Sequence, residues 1–218
     1  MYLVRPEPDA GARRPTGVLR LLALFSLLVL LPGRAPVVLD PPTGPDDVVV
    51  RISRGSGMTT VELAFASHPD LLVTGDGTVY REGEHGVETF RVDRAQILAL
   101  LRDADGAGLL DHSTKDLMAD GIMDAGSTFV TLDSGRERHT HNVYALGVRG
   151  GYFGLVRYVD HTLKWADAQN ATPYRPTAYR VLSMDDSGGY HCATSGTPIA
   201  VGGSVLAVAA LLPGDRCE

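Results

Sequence analysis

The sequence predicts an α+β domain in which an antiparallel sheet built from hairpins carries two main helices on one face. Three observations point there. Short runs with period-two alternation come in pairs joined by Gly- and Asp-rich turns. Two longer segments carry apolar residues at helical spacing. The hairpin connections are too short for parallel crossovers, so the strands pair antiparallel and the helices cover one side of them.

Residues 48–53 (VVVRIS) are β-branched and open the folded part as a strand. Val61, Leu63 and Phe65 alternate with Glu62 and Ala64, which predicts a half-buried strand. Residues 71–74 and 78–81 flank Gly75-Asp76-Gly77, a hairpin signal because glycine accepts positive φ. Residues 87–91 alternate again. Asp93 and Gln96 have capping-box spacing, with Val92 and Ile97 at the staple positions. Ile97, Leu100, Leu101 and Ala104 then share one helical face, and Gly106 and Gly108 stop the helix. Residues 111–126 read as an acidic loop. Residues 128–132 and 137–145 form a second hairpin around Asp133-Ser134-Gly135.

The second helix is expected from about Tyr152 to Gln169, with Leu155, Val156, Val159, Leu163 and Ala166 on one face. Residues 177–184 read as a strand. Residues 198–212 read as a short strand and then a short helix capped by Ser204 and ended by Pro213-Gly214.

The N-terminus reads as an address. Leu21–Leu31 is an apolar run of 11 residues with only Ser26 polar, preceded by Arg13, Arg14 and Arg20 and ended by Pro32-Gly33. A helix that crosses a bilayer needs roughly 20 residues, so a secretory signal is expected, cleaved or retained as a signal anchor within residues 18–32. The chain divides into residues 1–35 as signal, 36–47 as a Pro-rich linker and 48–218 as one α+β domain. Outside the cytoplasm Cys192 and Cys217 form a disulfide that closes the C-terminal segment. In the chain-entropy picture a loop of this length stabilises by about 3 kcal/mol.

The net charge is −6, and residues 1–35 contribute five arginines against Glu7 and Asp9, so the exported part is more acidic still. That excludes a general nucleic-acid binder and confines membrane contact to residues 18–32. All but Lys115 and Lys164 of the 20 basic residues are arginine, which we read as codon usage in a GC-rich genome.

Leu72–Val79, Ile97–Leu101, Gly108–Asp111, Asp124–Val130 and Val143–Gly147 follow one another in an order that resembles exported actinobacterial proteins of no assigned activity. Thr172–Thr177 resembles the start of that group's C-terminal part. The resemblance implies an extracytoplasmic location and a fold, and it assigns no chemistry.

Candidate chemistry is sparse. His139 and His141 flank Thr140 on a predicted strand, so period two places both imidazoles on one face. A metal-dependent enzyme or envelope hydrolase would add a third group such as His161, His191 or Glu62. None stands at a fixed spacing, and the expected arrangement is a solvated sheet face without metal. Asp116, Asp120 and Asp124 lack the alternation of a calcium loop and read as an acidic turn. Neither Gly55-Ser56-Gly57 nor Gly202-Gly203-Ser204 is a nucleophile elbow. His191 beside Cys192 is too short a pattern for a ligand pair. The aromatics Tyr144, Tyr152, Phe153, Tyr158 and Trp165 read as core between sheet and helix. No catalytic residue and no cofactor follow, and an envelope or extracellular ligand is expected as partner.

Overall fold

The computed structural model describes residues 37–111, 121–147 and 152–217, and the backbone of 116–117. The expected signal (1–35) and membrane segment (18–32) lie outside these residues, as do Asp120 and the Asp116 side chain. No helix among the described residues is long and apolar enough to cross a membrane.

The elements run β1 (Val48–Gly55), α1 (Val61–Ala66), β2 (Leu71–Thr74), β3 (Thr78–Gly83), β4 (Gly86–Arg91), α2 (Arg94–Gly106), β5 (Asp116–Leu117), β6 (Ser127–Asp133) and β7 (Arg138–Tyr144). They continue α3 (Phe153–Asp167), β8 (Thr172–Pro173), β9 (Tyr179–Met184), β10 (Tyr190–Ser195) and β11 (Val205–Ala210). An 8-stranded sheet has the order β5-β7-β6-β1-β2-β3-β4-β8, antiparallel except for the β5–β7 pair. A 3-stranded antiparallel sheet has the order β10-β9-β11.

Alternation decides which face each side chain takes. Val50, Ile52, Leu71, Val73, Val79, Val130 and Leu132 line one face and are buried under α2 and α3. On α2 the buried set is Ile97, Leu100, Leu101 and Ala104, as the spacing predicts. On α3 it is Leu155, Tyr158, Val159, Thr162 and Ala166, with Val156 and Leu163 only half-buried. Phe90 of β4 meets Trp165 of α3 edge-on at 5.9 Å. The register of β1 shifts between Val48 and Val50. Such a bulge turns the phase of the strand. Val49 and Val50 therefore both join the helix-side core, while Val48 packs on the opposite face with Leu72 and Leu212.

The caps are those the sequence encodes. Asp93 accepts from the Gln96 backbone N–H (2.8 Å), and Gln96 Oε1 accepts from the Asp93 N–H (3.0 Å). Gly77 has φ +87, and a Cβ there would collide with the Val92 carbonyl oxygen, so the Gly-Asp-Gly turn tolerates no side chain at that position.

Two expectations are corrected. Residues 61–65 are helical, not a strand. Thr60 accepts from the Leu63 N–H and caps α1, and Val61 and Leu63 are exposed, so their alternation marks no buried face. Residues 205–210 are a strand, not a helix. The Ser204 carbonyl accepts from Met184 N–H (2.8 Å), so Ser204 continues the ladder instead of capping a helix. Gly202 and Gly203 make the preceding turn at positive φ. Residues 37–47 form no regular element and touch the body: Asp40 N–H donates to the Ser134 carbonyl (2.9 Å), and Val37 and Leu39 pack on the core.

Asp76 anchors the β2–β3 turn. Burial pushes its carboxyl up, but the Thr74 hydroxyl, the Thr78 N–H and hydroxyl and the Arg91 guanidinium outweigh it and bring the pKa from 3.8 down to about 2. A carboxyl depressed on folding stabilises the protein above its unfolded pKa and loses that contribution as pH falls through the folded one. We expect a contribution of roughly 2 kcal/mol above pH 4. Urea unfolding from pH 5 to pH 2 should show Asp76→Asn less stable at pH 5 and with a flatter pH dependence than the parent.

Candidate functional site

The alternation of β7 puts His139, His141 and Val143 on the helix-side face, where all three are buried. The two histidines share a face as expected. That face is core, however, and the expectation of a solvated face is corrected: His139 is 5% exposed and His141 1%. The His141 imidazole holds the Leu109 carbonyl at 2.8 Å through Nε2, which acts as the donor because a carbonyl only accepts. That bond ties β7 to the segment following α2. His139 Nε2 stands 3.8 Å from Glu137 Oε2.

The suggested third groups are placed elsewhere. His161 is exposed on α3 beside Asp103 at 3.8 Å. His191 bonds Asp185 at 2.7 Å on the β9–β10 hairpin. Glu62 lies in the first turn of α1. Among the described residues no group of three His, Cys, Asp or Glu side chains is placed to hold a metal ion. Of the acidic-turn residues, Asp124 is described and adopts φ +58. Its carbonyl faces Gly57, where a Cβ would collide with it, so Gly55-Ser56-Gly57 serves close backbone approach. The aromatics divide. Tyr158 and Trp165 are core, Tyr144 Oη accepts from the Ala125 N–H (2.9 Å), and Tyr152 and Phe153 are exposed. Burial pushes the Tyr158 phenol up.

The side chains that do converge are arginines, on the face opposite the helices. Arg51 of β1 shares a row with Leu72 and Thr131 on that face. Arg180 of β9 approaches from the smaller sheet. Between them stands Asp215, whose side chain is 1% exposed, with Oδ1 3.1 Å from Arg51 Nη1 and Oδ2 3.5 Å from Arg180 Nε. Asp215 Oδ2 also accepts from the Leu212 N–H (3.2 Å), which fixes the turn at Pro213-Gly214. Arg180 further donates to the Phe65 carbonyl (3.2 Å) and lies over the Phe65 ring at 5.1 Å, tying α1 to β9. Burial, and then Arg180 nearby, hold His68 below its ordinary value.

Two residues past Asp215, Cys217 is bonded to Cys192 of β10, with the Cα atoms 5.2 Å apart. The C-terminal segment is thus fixed covalently to one sheet and electrostatically to the other.

A cleft of about 770 Å³ opens beside the cluster. Arg51, Arg138, Arg180 and Arg216 line it, with Asp46, Asp47, Asp215 and Thr131. Arg138 is 57% exposed and pairs with Asp133 at 3.3 Å. Arg216 is exposed and makes no ion pair with a described residue. Planar guanidinium groups bind carboxylate and phosphate oxygens in pairs, and here they share the wall with the carboxylates of Asp46, Asp47 and Asp215. The described residues that line the cleft include no histidine, cysteine or serine. Sequence reading passed over these arginines because they lie on separate elements and share no spacing. Only the sheet-to-sheet packing gathers them.

No family model, no curated protein and no solved structure matches the chain.

Removing the central anion leaves two guanidiniums facing each other, one of them 14% exposed. We expect Asp215→Ala to cost about 3 kcal/mol in urea unfolding. Asp46→Ala, on the exposed rim, should stay within about 0.5 kcal/mol.

Proposed function

We propose that the protein is a non-catalytic binding domain of the cell envelope, exported and either secreted or tethered by residues 18–32, whose ligand presents an anionic group to the arginine-lined cleft. The observation that carries this reading is the convergence of Arg51, Arg138, Arg180 and Arg216 on one cleft, where a single buried carboxylate occupies two of them. The two at the rim, Arg138 and Arg216, keep exposed guanidinium groups for a ligand. The chain carries a net charge of −6, so a local group of arginines stands out against an acidic whole.

The location rests on the N-terminal apolar run and on the bonded Cys192–Cys217 pair, which is the usual state of cysteines outside the cytoplasm. It agrees with the resemblance to exported actinobacterial proteins. The alternative of a metal-dependent enzyme at His139 and His141 gains nothing from their burial in the sheet–helix core.

Calorimetric titration with citrate and with inorganic phosphate tests the reading. We expect saturable binding that weakens with salt and falls at least tenfold in Arg138→Ala/Arg216→Ala, with the unfolding midpoint unchanged. Binding that survives the double substitution, or no binding of either anion, contradicts the assignment of the cleft.

A further inference from the structure

The two sheets treat their edges differently. The larger sheet ends in β8, two residues that include Pro173, and in β5, also two residues. Very short strands and proline are the usual guards of an edge. In the smaller sheet β11 lies against α1. Among the described residues the remaining edge, β10, has no such guard. It is six residues long, contains no Pro, Gly, Lys, Arg, Asp or Glu, and Tyr190, His191, Ala193 and Thr194 are exposed.

The hydrogen-bond phase of this edge can be read from the ladder. Asp185 N–H bonds the Gly189 carbonyl, so the 189/185 pair is a bonded one. Bonded pairs alternate in an antiparallel ladder. The bonds to β9 therefore fall at His191, Ala193 and Ser195. The N–H and C=O groups of Tyr190, Cys192 and Thr194 point away from β9, along an exposed edge.

We infer that β10 pairs antiparallel with β10 of a second copy of this chain, joining the two small sheets into one sheet of six strands. A two-fold axis at Cys192 satisfies the outward groups in phase: Tyr190 meets Thr194 of the partner, and Cys192 meets Cys192 of the partner. His191 and Ala193 of the partner then face each other as a non-bonded pair. Every pair across this seam is free of acidic and basic side chains apart from histidine, whose ring is held by Asp185 within its own hairpin. Self-pairing thus brings no like charges together, although each body is acidic. The Cys192 sulfur is already bonded to Cys217, so the seam is non-covalent and the bridge fixes the strand from its own side. Tyr190 and Met184, 50% and 40% exposed, are neighbours across the β9–β10 ladder and extend the contact with apolar surface.

Two variants test this in the full chain, purified in mild detergent. Thr194→Pro removes one outward N–H and leaves the ladder to β9 intact, as proline is tolerated on an edge. Sedimentation should show a dimer for the parent and a monomer for Thr194→Pro, with unfolding midpoints that converge on dilution. His191→Cys/Ala193→Cys places thiols across the seam at a separation that a disulfide spans. It should form a covalent dimer under oxidation, whereas each single variant alone should not. A monomeric parent, a dimer undiminished by Thr194→Pro, or equal cross-linking by the single variants would overturn the pairing.

Discussion

The Asp215 carboxylate stands between guanidiniums that belong to different sheets, Arg51 of β1 and Arg180 of β9. Much else is arranged around that placement. Asp215 reaches it because Leu212 is buried against Val48 and Leu72, and because the turn after Leu212 is closed by the carboxylate's own acceptance of the Leu212 N–H. Val48 is available on that face because a bulge in β1 shifts its phase relative to Val49 and Val50. The Cys192–Cys217 bond then limits how far the segment can leave. Burying a charge is costly unless it is paired. Here one buried anion stands between two cations, and the exposed carboxylates of Asp46 and Asp47 share the cleft with Arg138 and Arg216.

The opposite face of the large sheet follows simpler rules. Alternating Val, Ile and Leu side chains meet the apolar stripes of α2 and α3, and dispersion and burial hold the layers together without charge. Polar groups are admitted as well, among them the buried His139 and Thr162. His141 is tolerated because its ring bonds the Leu109 carbonyl, and Arg81 because it pairs with Glu88 at 2.8 Å and donates to the Ala166 carbonyl at the end of α3. One face therefore supplies stability, and the other supplies a charged cleft of distant residues. That division underlies the proposed role, in which a rigid core positions a recognition surface.

The core was legible in the sequence wherever a short-range signal determined the outcome. The Asp93–Gln96 box, the Gly-Asp-Gly turn and the stripes of α2 and α3 all encode themselves within a few residues. Legibility failed where tertiary context overrode local pattern. The alternation at 61–65 reads as a half-buried strand, yet Val61 and Leu63 are exposed on a capped helix. The Ala-rich run at 205–210 looked helical, yet β9 offered it a ladder. Period two placed His139 and His141 together but could not say which face was covered. The cleft was illegible in principle, because Arg51, Arg138, Arg180 and Arg216 carry no common spacing and lie on separate elements of two sheets and the C-terminal segment.

Hydrogen exchange followed by mass spectrometry on Asp215→Asn, with the disulfide intact, tests the central claim most directly. If Asp215 joins the two sheets, protection should fall over residues 179–210 and in the α1 segment tied to Arg180, while β2, β3, α2 and α3 keep the protection of the parent. Unchanged protection throughout, or a uniform loss that includes the helix-side core, would contradict the account.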